Sequence, residues 1–101
     1  GLHITFATTH LGLPKEGIVN FFLNNQEEII NIHLSDYKNN TFGAHLPLGK
    51  GLLPIKMFLQ SLKDRQYNGL LTLEINGDFE KLWHSIQMVK AHCNVLDADV
   101  I

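Results

Sequence analysis

Three times along the chain, a short apolar segment with a two-residue repeat is followed by a segment with a helical repeat. No other feature restricts the fold so much. Leu2–Thr8 reads as a first strand, with Leu2, Ile4 and Phe6 on one face and His3, Thr5 and Ala7 on the other. Glu28–Leu34 reads as a second, with Ile30, Ile32 and Leu34 opposite Ile29, Asn31 and His33. Leu70–Ile75 reads as a third, with Leu71, Leu73 and Ile75 opposite Leu70, Thr72 and Glu74. Strands that alternate with helices predict an α/β fold with a parallel sheet and right-handed crossovers.

The helices have their own punctuation. Pro14 suits the start of the first, where Ile18, Phe21 and Phe22 fall at helical spacing and Asn24-Asn25 closes the run. Pro54 opens the second, in which Ile55, Phe58, Leu59 and Leu62 form one stripe, and Asn68-Gly69 reads as its terminating turn. Asp78 is a good N-cap for the third, with Phe79, Leu82, Trp83, Ile86 and Val89 as the expected buried stripe. Phe21, Phe22 and Trp83 are therefore expected in the core rather than on a binding platform. A long loop rich in Asn and Gly runs from Ser35 to about Leu52, and the tail from Asn94 to Ile101 carries no pattern that assigns it.

Composition narrows the classes of function. No apolar run reaches the roughly 18–20 residues of a membrane span, and no basic-then-apolar leader opens the chain. A single cysteine, Cys93, rules out an internal disulfide and fits a cytoplasmic setting. Cys93 itself reads as buried filler rather than a nucleophile. The net charge is −2, and Lys38, Lys50, Lys56 and Lys63 are scattered, which weighs against a nucleic-acid partner. The Gly49–Gly51 triplet lacks the spacing of a phosphate-binding loop, so nucleotide binding is not expected.

Histidine is the unusual residue, with six copies in 101 residues. Ligating side chains recur where each strand ends: His10 just beyond the first, His33 and then Asp36 at the second, Glu74 at the third. Parallel α/β sheets build their sites at the C-terminal ends of the strands. His10, His33 and Glu74 thus converge in expectation, with His45 on the long loop within reach. Imidazole and carboxylate together are what a divalent transition ion requires. The alternatives stay open residue by residue. A lone histidine is more often a surface or satisfied core group, Glu74 suits an ion pair, and Asp36 suits capping of its own loop. His3, His84 and His92 read as structural.

The segments NIHLSD (Asn31–Asp36), HLPLGKG (His45–Gly51) and YNGLLTLE (Tyr67–Glu74) resemble the C-terminal part of the xylose-isomerase-like TIM barrels. This superfamily includes sugar-phosphate isomerases and epimerases and the apurinic-site endonucleases. Its late strands carry a D-T-x-H turn, an H-x-x-D, a loop H-x-x-x-G-x-G and a strand-eight Glu, in the order found here from about Leu2 to Val95. The resemblance implies three βα units of a (β/α)8 barrel, units six to eight, as a single C-terminal segment over residues 1–101.

It also implies roles. His33 and Glu74 take the positions of metal ligands, and Glu74 is also the catalytic candidate for proton transfer. His10 takes the histidine of the D-T-x-H turn. His45 takes a loop position that binds metal in the nucleases and contacts substrate in the epimerases. Asp36 and Lys50 are the candidate substrate contacts. The cofactor implied is a divalent metal of the manganese, zinc or cobalt class, and the substrate a sugar or sugar phosphate.

Two departures reduce the ligand set. Ala7 stands where the family has the Asp of D-T-x-H, and Gly43 stands where the nucleases have an Asp two residues before the loop histidine. A complete barrel takes about 250 residues, so the chain reads as a fragment, a split subunit or a truncated remnant. Three strands cannot close a barrel, and two open edges predict self-association or pairing with an N-terminal partner fragment. Three functions follow in expectation. The first is a metal-dependent sugar isomerase or epimerase segment, inactive alone. The second is a segment of an apurinic-site endonuclease. The third is a non-catalytic barrel remnant acting as an assembly module.

Overall fold

The protein is described by a computed structural model over residues 3–9, 17–38, 45–92 and 98–100. Three βα units run in chain order: β1 (Ile4–Ala7), α1 (Gly17–Asn25), β2 (Ile29–Leu34), α2 (Ile55–Asp64), β3 (Leu70–Leu73) and α3 (Phe79–His92), followed by a short β4 (Ala98–Val100). The sheet is open and wholly parallel, in the order β1-β2-β3-β4. Because each crossover leads to the adjacent strand with the same hand, the helices gather on one face of the sheet. The core lies between, built on Phe6, Ile32, Leu34, Leu71 and Leu73 from the strands and Ile18, Phe22, Phe58, Leu59, Leu62 and Val89 from the helices. Phe6, Phe22 and Phe58 are linked by edge-on ring contacts at 6.0 Å, a geometry that suits the aromatic quadrupole.

The predicted stripe of α2 is buried without exception: Ile55, Phe58, Leu59 and Leu62 are all in the core. Its end differs from expectation. Asn68-Gly69 does not stop the helix. Gln66 does, in the left-handed region at φ 54°. The Tyr67 N–H donates to the Leu62 carbonyl (2.9 Å) and the Gln66 N–H to the Lys63 carbonyl (3.1 Å), which together make a Schellman motif. Gly69 serves the turn into β3 instead. A Cβ there would meet the Tyr67 hydroxyl and stand 2.7 Å from the Ile30 carbonyl oxygen.

Further sequence expectations are corrected. Strand alternation puts Ile30 on the apolar face with Ile32 and Leu34, yet it is 48% exposed while Ile29 is 5% exposed. The cause is a β-bulge. Ile4 pairs with Ile29 and Thr5 with Asn31, so the register skips Ile30 and the faces exchange at that point. On α3, Phe79 and Trp83 are 79% and 49% exposed, and the helix packs through Leu82, Ser85, Ile86 and Val89. Ser85 sets that rotation. Its hydroxyl accepts from the Leu48 N–H (3.1 Å) and donates to the Lys81 carbonyl (3.1 Å), a close seat that a bulky aromatic could not take. The C-terminal tail, which carries no pattern that assigns it, adds β4, whose backbone pairs with β3 from Leu71 to Leu73, so the β3 edge expected to be open is occupied. Leu2 and Pro14 lie outside the described residues.

Candidate functional site

The face of the sheet turned away from the helices carries the polar residues. His33 at the end of β2 and Glu74 just past β3 meet there, with His33 Nδ1 2.6 Å from Glu74 Oε1. Strand pairing brings them together. His33 is the register partner of Thr72, and the Glu74 N–H donates to the Leu34 carbonyl (3.1 Å), which carries the ladder one step beyond β3. Both side chains are about three-quarters buried, enough to strengthen a charge-assisted hydrogen bond while leaving the pair reachable.

Behind His33 the hydrogen bonds run in one direction. The Thr72 hydroxyl donates to Asn31 Oδ1 (3.3 Å), and Asn31 Nδ2 lies 3.2 Å from His33 Nε2. With Nδ1–H committed to the carboxylate, the His33 Nε2 lone pair accepts from the Asn31 amide. The Asn31 contact fits the tautomer in which Nδ1–H donates toward Glu74. Sequence reasoning passed over Asn31 and Thr72. The signal was present, since Asn31 sits two residues before His33 on the same strand face.

His45 joins from the long loop. Its Nδ1 lies 3.3 Å from the Glu74 backbone carbonyl and 3.8 Å from Oε2. Its backbone is in the left-handed region at φ 56°, a conformation in which histidine is enriched. The surroundings fix it there: Asn76 N–H donates to the His45 carbonyl (2.8 Å), and Asp36 and Leu46 form an antiparallel bridge beside it.

Asp36, expected as a substrate contact, has other work. It is fully buried. Its Oδ1 accepts from the Tyr37 and Leu53 N–H groups (2.8 and 3.0 Å), and its Oδ2 from the Gly49 N–H (2.9 Å). The carboxylate therefore fastens the glycine-containing loop to the end of β2, the capping alternative extended across the loop. Gly51 fits against it because a Cβ would press on Asp36 Oδ1 and approach Tyr37 N to 2.6 Å. Thr8 and Thr9 do similar work for β1. The Thr8 hydroxyl donates to the Ser35 carbonyl (2.8 Å) and receives the Ser35 N–H (3.1 Å), and the Thr9 and Ser35 hydroxyls bond to each other.

Of the other candidates, Lys50 is exposed on the glycine loop and lines a separate cleft. Among the two departures, Ala7 stands in register beside His33. His10, Gly43 and Cys93 lie outside the described residues.

The sequence model of a family described as xylose isomerase-like TIM barrel matches residues 2–97. The chain belongs to that family. Parallel βα units with polar residues at the C-terminal strand ends are what such a barrel requires of its members. No curated protein and no solved structure matches the chain. No described helix is long and apolar enough to cross a membrane.

The donor types at His33, Glu74 and His45 suit a divalent transition ion. Among the described residues, no three His, Cys, Asp or Glu side chains are arranged to hold one. The His33–Glu74 contact of 2.6 Å is also closer than the roughly 3 Å between two ligands whose bonds to a shared ion are about 2.0–2.2 Å. A cation using both groups would spread this pair slightly and take further ligands from outside the described set.

Proposed function

We propose that the chain is the C-terminal segment of a metal-dependent sugar or sugar-phosphate isomerase or epimerase, with His33 and Glu74 as its working pair. The observation that carries this reading is the 2.6 Å contact between His33 Nδ1 and Glu74 Oε1 at adjacent strand ends, on the face opposite the helices. His33 and Glu74 would hold a divalent cation with His45 alongside, and the ion would polarise a substrate carbonyl. Glu74 is the proton carrier. A cation held by this pair would take the place of the proton between His33 and Oε1, and Oε2 would be left to accept a proton from carbon beside a carbonyl. Asn31 and Thr72 hold the imidazole for that task.

The chain supplies three of the eight βα units of a barrel. The reading therefore needs further barrel units to cover the polar face and the outer edge of β1.

A second reading has one specific observation in its favour. Ala7 stands beside His33 where the resemblance places an aspartate, which suits a barrel remnant that no longer binds metal and acts in assembly. Calorimetric titration of the chelator-stripped chain with manganese and zinc separates the two. Saturable binding that is lost in His33→Ala and kept in His84→Ala supports the metal-dependent enzyme. No binding, or equal binding in all three proteins, removes it.

A further inference from the structure

The chain contains the pairs Asn68-Gly69 and Asn76-Gly77. An Asn-Gly junction has a reaction of its own. Glycine has no Cβ, so its backbone nitrogen can approach the side-chain amide carbon of the asparagine before it. Closing that ring requires the junction to rotate and the glycine N–H to lose its proton.

The fold treats the two junctions differently. Asn68-Gly69 is held on both sides. The Tyr67 N–H donates to the Leu62 carbonyl (2.9 Å), and the Tyr67 hydroxyl donates to the Leu70 carbonyl (2.6 Å), so one side chain spans the pair. Gly69 is partly buried, and its backbone is pressed between the Tyr67 hydroxyl and the Ile30 carbonyl.

Asn76-Gly77 is open. It lies between β3 and α3 and belongs to neither, and both residues are exposed. Gly77 stands at φ 139°, which glycine adopts without strain. The Asn76 N–H donates to the His45 carbonyl (2.8 Å). The next anchor is Asp78, whose Oδ1 accepts the Lys81 N–H (3.0 Å) at the start of α3. No hydrogen bond among the described residues spans the junction between these anchors, and none engages the Asn76 amide side chain or the Gly77 N–H. The atoms that a Cβ on Gly77 would meet belong to the Lys81 side chain, with its Cδ at 3.0 Å, and that aliphatic stem is flexible.

We propose that Asn76 is a site of spontaneous deamidation encoded in the chain. The Gly77 nitrogen gives up its proton and attacks Asn76 Cγ. The new N–C bond forms as the Cγ–Nδ2 bond breaks, and the amide nitrogen leaves with that proton as ammonia. Water then opens the cyclic imide at one of its two carbonyls. One opening yields aspartate. The other yields isoaspartate, in which the main chain runs through Cβ and Cγ and is longer by one carbon. Nothing is oxidised or reduced. Each event puts a carboxylate two residues beyond Glu74 and lowers the net charge, −2, by one. The isoaspartyl form also lengthens the link between the His45 anchor and the cap of α3. The change is one-way and sits beside the His33–Glu74 pair, and it requires no metal.

The test is incubation of the full chain at mildly alkaline pH, folded and, in parallel, unfolded in urea. Charge is followed by ion exchange, with Asn76→Asp marking the position of the aspartyl product. Tryptic cleavage leaves both junctions in the peptide from Gln66 to Lys81, so fragmentation of that peptide by mass spectrometry locates each event. In the folded chain Asn76 is expected to react about tenfold or more faster than Asn68, because only the latter is held by the fold. In urea the two are expected to react within about threefold of each other. The rate at Asn76 is expected to rise with pH, as loss of the Gly77 proton requires. The inference is overturned if Asn76 stays intact in the folded chain while reacting in urea, or if Asn68 keeps pace with it in the folded chain.

Discussion

Ala7 and His33 are register partners on β1 and β2 and share the face of the sheet turned away from the helices. The family's aspartate at this position would stand one strand spacing, about 4.8 Å, from the backbone of the histidine expected to ligate metal. On the proposed reading, Ala7 leaves that face without the carboxylate. Ala7 is only partly buried, so a longer side chain has room. Ala7→Asp is expected to raise manganese affinity by about tenfold or more, read by calorimetry. Unchanged affinity means that the face is not a metal site even when the carboxylate is restored.

Asp36 leads to a prediction about stability rather than binding. Three backbone N–H groups are held by its buried carboxylate, and losing the acceptor that ties the loop to β2 is costly. Asp36→Ala is expected to lower stability by about 2–4 kcal/mol, with the loss measured by urea unfolding. A variant as stable as the parent would return Asp36 to the list of substrate contacts.

Tyr67 gives an alkaline signature. Burial pushes its phenol up to about 12, because the charged form is disfavoured there. The unfolded chain loses this proton near pH 10 and the folded chain near pH 12, so the folded state binds the proton more tightly over that interval. The contribution is whole below about pH 10 and is lost as pH rises from about 10 to about 12. Tyr67→Phe is expected to show a shallower fall in stability across that window. Identical pH profiles for the two proteins would show that the phenol titrates normally.

The core was largely legible in the sequence, and the exceptions have physical causes. The α2 stripe was readable because four apolar residues at strict helical spacing leave one possible inner face. The N-cap was readable as well, since Asp78 Oδ1 accepts the Lys81 N–H at 3.0 Å. Ile29 and Ile30 were exchanged because a bulge is set by the neighbouring strand, which a single strand's alternation cannot reveal. The rotation of α3 depends on Ser85 bonding to Leu48, a contact between positions 37 residues apart. In the site, His33 and Glu74 were readable as strand-end residues. Asn31 and Asp36 took roles that depend on which backbone or side chain lies opposite, and composition does not encode that.

The rotation of α3 has an optical consequence. Trp83 is the sole tryptophan and is 49% exposed. Its fluorescence is expected to be quenched by acrylamide about half as efficiently as in the unfolded chain or better. A strongly blue-shifted, protected emission would restore Trp83 to the buried stripe.

The central claim is that His33 and Glu74 act as one unit. A double-mutant cycle on manganese affinity tests it most directly, using His33→Ala, Glu74→Gln and the combined variant. Each single change is expected to weaken binding by about tenfold or more, and the second change to add no more than about threefold, because residues in one network are not additive. Losses that multiply in full, or single changes without effect, would contradict a shared site.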